Sequence, residues 1–205
     1  MFPSIPPTTW ALIVANAIVF FLQGAAGNAL VVNFALWPIG ASAAAADGAG
    51  FQFWQLITYS FLHGSLTHLV LNMLALFMFG GEIERVFGRR RYLTYYFVCV
   101  LAAGLTQLVV ANATGSYYPT VGASGGVFGL LLAYAIFFPT RTIILIFPPI
   151  PMPAWLFVIV YALIELYLGV TGTQAGVAHF AHLGGMLGGF VMLRYWRGRA
   201  MFRRW

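Results

Sequence analysis

Residues 66–113 read LTHLVLNMLALFMFGGEIERVFGRRRYLTYYFVCVLAAGLTQLVVANA, and this stretch decides the fold. Two apolar runs, about Leu66 to Phe87 and about Tyr92 to Ala113, flank a knot of basic residues formed by Arg85, Arg89, Arg90 and Arg91. A helix needs about 20 apolar residues to cross the hydrocarbon core of a bilayer, and each run meets that length. The rest of the chain agrees. Of its 205 residues 61% are hydrophobic and 7% charged, whereas a soluble domain carries about 25% charged residues. Too few polar groups are present to cover a water-facing surface, so lipid is the solvent that fits.

Working outward, the same criterion marks four more spans: about Trp10 to Gln23, Ala123 to Phe138, Ala154 to Val170 and Val177 to Trp196. The N-terminal MFPSIPPTTW places no basic residue before its apolar run, so the first span is expected to be a retained helix rather than a cleaved signal. The segment from about Gly24 to Leu66, with the small-residue stretch Gly40 to Gly50, is too broken for a span and too apolar for a solvated loop. A partly inserted, interfacial first outer loop is expected there. Pro148, Pro149, Pro151 and Pro153 interrupt the chain between the fourth and fifth spans. The expected fold is therefore all-α: one polytopic membrane domain over residues 1–205, a bundle of six transmembrane helices.

The formal charge of +6 comes from ten arginines and no lysine. They lie between spans two and three, at Arg141 between four and five, and at Arg194, Arg197, Arg199, Arg203 and Arg204 after span six. With six spans these places share one side. Basic loops face the cytoplasm, so both termini are expected inside, and the loops after spans one, three and five outside. That placement at span ends excludes the basic face of a nucleic-acid binder. One cysteine, Cys99, excludes an intrachain disulfide and a multi-cysteine zinc site, and reads as a small buried hydrophobe.

Polar side chains within spans are costly and mark function. His68 and Asn72 share a face of span two, Ser124 opens span four, and His179 and His182 lie in the first turns of span six. All fall at the outer end. Span four reads GASGGVFG and span six HLGGMLGG. Gly125 and Gly129, like Gly185 and Gly189, have the i, i+4 spacing that lets helix backbones approach closely in lipid. Such a contact would bring the Ser124 hydroxyl to the His182 ring, and a serine needs a base to become a nucleophile. Oxyanion donors can come from His68, Asn72 and the backbone N–H of Ser124. An acid to complete a triad is not evident. Glu82 and Glu84 lie at the cytoplasmic end, Asp47 in the first outer loop and Glu165 well into span five, so a Ser–His dyad is expected. Glu84 reads as an ion-pair partner of Arg85 and Arg89, and Glu165 as protonated or paired with a neighbour. A transporter would instead show an internal repeat and polar residues at the midplane.

GASGG around Ser124, HGSLTHLVLN around His68 and Asn72, and AHLGGMLGG around His182 resemble the three signature segments of the rhomboid intramembrane serine proteases, over about residues 51–196. The resemblance implies Ser124 as nucleophile and His182 as general base, with His68, Asn72 and the Ser124 N–H binding the oxyanion. It implies that Gly122 shapes the turn before the serine, that Gly185 and Gly189 pack span six on span four, and that His63 is structural. Family members cut single-pass membrane proteins in or near the transmembrane segment, without metal or cofactor. The implied partners are transmembrane substrates and the bilayer, with no nucleic acid, and the implied location a prokaryotic plasma membrane. A catalytically inactive relative would lack the serine or the histidine. Two departures stand out: Gln55 follows Trp54 where relatives often carry arginine, and Phe128 stands where some carry a tyrosine that stacks on the histidine. The AHLGG context selects His182 over His179, which would line the same cavity.

Overall fold

The computed structural model describes residues 5–40, 49–144, 149–173 and 177–202, with side chains to 198. Asp47, Arg203, Arg204 and most of the small-residue stretch lie outside the described residues, as does the side chain of Arg199.

Helix α1 spans Pro7–Ala26, and a short α2 (Ala29–Phe34) follows. The first loop continues through α3 (Gln55–Thr58) and a tight turn, Tyr59–Phe61, to α4 (Leu66–Ala75). A wider π-helical turn (Leu76–Gly80) leads into α5 (Gly81–Thr114). Then come α6 (Ser124–Phe137), α7 (Ala154–Thr171) and α8 (His179–Phe202). Pro7–Ala26, Leu66–Thr114 and Ala154–Thr171 are long and apolar enough to cross a membrane, and Ser124–Phe137 is apolar but shorter.

The long run turns back at Gly88. A Cβ on Gly80 would lie 2.7 Å from the Tyr92 hydroxyl, yet twelve residues of straight helix would separate the two by about 18 Å. Gly88 makes the reversal possible, with φ 71° and ψ 160°, where a side chain would be strained. The all-α expectation misses one feature. The proline-rich segment carries a two-stranded antiparallel hairpin, β1 (Thr142–Ile144) on β2 (Pro151–Pro153), with Ile143 opposite Met152.

The core lies where the second half of α5 meets α6 and α8. Tyr95, Tyr96, Cys99 and Leu130 are fully buried there, and glycines set the spacing. A Cβ on Gly185 would overlap the carbonyl oxygen of Gly125, so α6 and α8 touch backbone to backbone. Gly189 differs from expectation: the neighbours of a Cβ there are Tyr95 and Cys99 of α5, not α6. The reason is helical geometry, since α8 wedges between both helices and residues one turn apart drift round its axis.

The basic residues gather at one end. Glu82 pairs with Arg85 (2.8 Å) and Arg141 (3.0 Å), and the Arg91 guanidinium lies over the Trp196 ring. Glu84 is not the ion-pair partner expected of it. Its carboxylate accepts the backbone N–H groups of Thr8 (3.0 Å) and Thr9 (2.6 Å) and the Thr9 hydroxyl (2.8 Å). It thus caps the first turn of α1, whose N–H groups have no helical acceptor and whose preceding residue, Pro6, offers no side-chain cap.

The first loop is fixed by the residue that departs from the family pattern. Gln55 is fully buried. Its Oε1 accepts from the N–H of Trp37 and Gln52, and its Nε2 donates to the carbonyls of Gly50 and Asn33. A neutral amide, with two acceptor and two donor sites, anchors this loop without an arginine.

Candidate active site

The site forms at the end remote from the arginines. Ser124 is the first residue of α6, and Arg141 lies beyond the far end of that 14-residue helix, about 20 Å away. The turn before the serine depends on Gly122. Its φ is 127°, and a Cβ there would lie 2.8 Å from the His68 ring and 3.6 Å from Ser124 Oγ. Glycine is required on both grounds. The Gly122 N–H donates to the Tyr59 carbonyl (2.9 Å), and the Tyr59 hydroxyl donates to the Val100 carbonyl (2.8 Å). The serine turn is thereby tied to α5.

His182 sits in the first turn of α8. Its Nε2 lies 2.8 Å from Ser124 Oγ. Its ring stacks on Phe128, centroids 4.3 Å apart and 6° from parallel, and Phe128 stacks in turn on Tyr161 at 5.1 Å. The hydroxyl and the imidazole meet because Gly125 and Gly185, one residue after Ser124 and three after His182, touch at the helix crossing.

His68 and Asn72 lie on α4. Ser65 caps that helix, its hydroxyl accepting from the His68 N–H (3.1 Å). The Gly64 N–H donates to His68 Nδ1 (3.4 Å), while the opposite ring edge faces Gly122 beside the serine. Asn72, one turn on and buried, donates from its amide to the His68 carbonyl (3.0 Å). His63 is buried against His68, with ring centroids 5.0 Å apart. Gln23 of α1 grips its backbone, accepting from the His63 N–H and donating to its carbonyl. Burial, with the adjacent His68 adding to it, lowers the His63 pKa to about 4, so this ring is neutral at physiological pH.

Glu165 corrects the expectation that no acid reaches His182. Its Oε2 lies 2.9 Å from His182 Nδ1 and 2.7 Å from His179 Nδ1. His179, the other imidazole on this helix, contacts Glu165 while His182 takes the serine. The ligand atoms of Glu165, His179 and His182 lie within 4.8 Å of one another, a spacing that could hold a metal. Their N···O separations are those of direct hydrogen bonds, so each donor already has a partner without one. A signal for Glu165 was present in the sequence. It lies six residues before the end of α7, and His182 three residues into α8. At 1.5 Å per residue those positions are about 9 and 5 Å from the loop that joins the two helices, close to one depth.

A family model for the rhomboid domain matches residues 50–199. The chain belongs to the rhomboid family. Among curated relatives of this rhomboid is the rhomboid protease GluP of Bacillus subtilis (strain 168), 31% identical over 186 residues. That match takes in 90% of the chain but 34% of GluP, so the chain spans about a third of its relative's length. Family membership and the apolar helices make this rhomboid an integral membrane protein. Its lipid-compatible surface includes Ile159, Leu163, Tyr167 and Val170 of α7, all exposed.

Proposed function

We propose that this rhomboid is an intramembrane serine endopeptidase that cleaves single-pass membrane proteins in or near their transmembrane segments. Ser124 Oγ attacks the scissile carbonyl as His182 Nε2 takes its proton. His182 later returns that proton to the leaving amine, and water hydrolyses the acyl-enzyme. The carrying observation is the 2.8 Å Oγ···Nε2 contact, the geometry an activated nucleophile requires. His68, Asn72 and the backbone N–H of Ser124, free of an intrahelical partner in the first turn of α6, serve the oxyanion.

The same proposal includes six spans, an arginine-rich cytoplasmic side with both termini inside, and a site near the outer face where water for deacylation is at hand. A substrate helix must unwind before a carbonyl can reach the serine, since its backbone is hydrogen-bonded internally. Segments with helix-breaking or small residues near the cut are therefore preferred. The test is cleavage of a labelled single-pass substrate by purified protein in detergent. Wild type cleaves, and Ser124→Ala and His182→Ala do not. Undiminished cleavage by Ser124→Ala refutes the proposal.

A further inference from the structure

Helix α7 buries Ala154, Val158 and Glu165 and exposes much of the rest of its apolar surface. A carboxyl 5% exposed on such a helix is costly without partners. Both partners of Glu165 are imidazoles on α8, and one of those imidazoles contacts the serine. We propose that Glu165 is a positioning residue, the third member of a Ser124–His182–Glu165 relay, whose carboxylate holds the His182 Nδ1–H and so aims the Nε2 lone pair at Ser124 Oγ. This inference rests on the serine-protease reading and adds to it an acid from a separate helix.

The argument is one of tautomers. A neutral imidazole carries one N–H, and only its bare nitrogen can accept the serine proton. A carboxylate only accepts, so Oε2 at 2.9 Å from Nδ1 puts the hydrogen there and leaves Nε2 bare toward Oγ at 2.8 Å. With the hydrogen on Nε2 the ring would donate to the serine and could not act as its base. When Oγ bonds to the substrate carbon, its proton moves to Nε2, and the positive ring lies against a carboxylate. Glu165 keeps its own protonation state throughout. Phe128 fixes the plane of the ring and Glu165 its rotation within that plane.

His179 has a place in this arrangement. It is one turn before His182, its ring is 87° from the His182 ring, and its Nδ1 meets the same Oε2 at 2.7 Å. Two N–H groups arriving from perpendicular rings can share one oxygen. His179 thus holds Glu165 where His182 needs it.

Replacing the orienting acid of a serine triad by its amide costs up to about 10⁴-fold in kcat, because the amide does not select the tautomer. Glu165→Gln keeps the volume and loses the charge, and its NH2 can donate to Nδ1. The expected result is a kcat at least about a hundredfold lower, with KM within about threefold of wild type. Glu165→Asp keeps an acceptor-only group and recovers at least tenfold of that loss. Nitrogen-15 NMR of histidine-labelled wild-type protein in micelles reads the tautomer directly. The chain has four histidines, assigned by single substitution. His182 is expected as the Nδ1–H tautomer in wild type and to lose that preference in Glu165→Gln. A role limited to bolting α7 onto α8 would lower the melting temperature without changing the tautomer. The inference is overturned by wild-type kcat in Glu165→Gln, or by an Nε2–H tautomer at His182 in the wild type. Ser124→Ala and His182→Ala in the same assay separate the two readings. If both are inactive while Glu165→Gln is fully active, only the relay fails, and if either cleaves, the serine-protease reading itself fails.

Discussion

Adding one methyl group at Gly185 probes the whole construction. A Cβ there would overlap the Gly125 carbonyl oxygen and lie 2.8 Å from its carbon and 3.1 Å from its Cα. Ordinary carbon–carbon contact is about 3.5–4.0 Å, so Gly185→Ala must push α8 from α6 by about 1 Å. Ser124 is one residue from that crossing and His182 three. The 2.8 Å Oγ···Nε2 contact would open to about 3.8 Å, beyond a hydrogen bond. A misplacement of about 1 Å costs on the order of a hundredfold in rate, and overpacking costs about 1–3 kcal/mol of stability. The variant should therefore remain folded but lose at least about 99% of its kcat/KM, read by cleavage of a fluorogenic transmembrane substrate alongside thermal melting in detergent. Gly24→Ala is the control. No atom lies within 4 Å of a Cβ there, and alanine within α1 gains up to about 1 kcal/mol. A folded Gly185→Ala enzyme cleaving within threefold of wild type would refute the claim that the glycine crossing sets the catalytic geometry.

Other predictions follow from single contacts. Phe128→Leu removes the ring stacked on His182; aromatic stacking contributes about 0.5–1.5 kcal/mol, so kcat should fall about three- to tenfold in steady-state assays. Gln55→Ala leaves the two N–H groups and two carbonyls it serves without their partner, and chemical unfolding should show a loss of about 1–3 kcal/mol. Glu84→Ala strips the cap from α1 and should cost about 1–2 kcal/mol, whereas Glu82→Ala, whose partners Arg85 and Arg141 are solvent-exposed, should cost less than about 1 kcal/mol. His63 titrates near 4 in the fold against about 6.5 when exposed. Its contribution to stability is intact above about pH 6.5 and is lost as pH falls from there toward 4. His63→Gln should flatten that part of the melting-temperature profile, and an identical acid profile in the variant would contradict it.

The apolar helices were legible because their signal is one of mass. Long runs without charge, separated by arginines, admit few readings, and the start of α4 and both ends of α6 and α7 lie within a residue or two of expectation. Ser124, His182 and His68 were legible because each sits in a short glycine-marked segment whose local chemistry is already unusual. What stayed hidden depends on the angle at which one helix meets another. Glu165 is the one charged residue of its own helix, and its hydrogen-bond partners come from α8. Glu84 has arginines beside it in sequence, yet its face of α5 turns toward α1. Gly189 shares the i, i+4 spacing of Gly185 but faces α5, because α8 contacts two helices and spacing does not say which residue meets which. Gln55 looked like the loss of an anchoring arginine, and its buried amide anchors the loop by a different set of bonds.

The central claim is that Ser124 is a nucleophile made reactive by His182. The most direct measurement is labelling of the intact protein with a fluorophosphonate probe, followed by peptide mapping. The account predicts one phosphonylated residue, Ser124, with labelling abolished in His182→Ala. A well-folded protein that takes up no probe, or carries it on another residue, would contradict it.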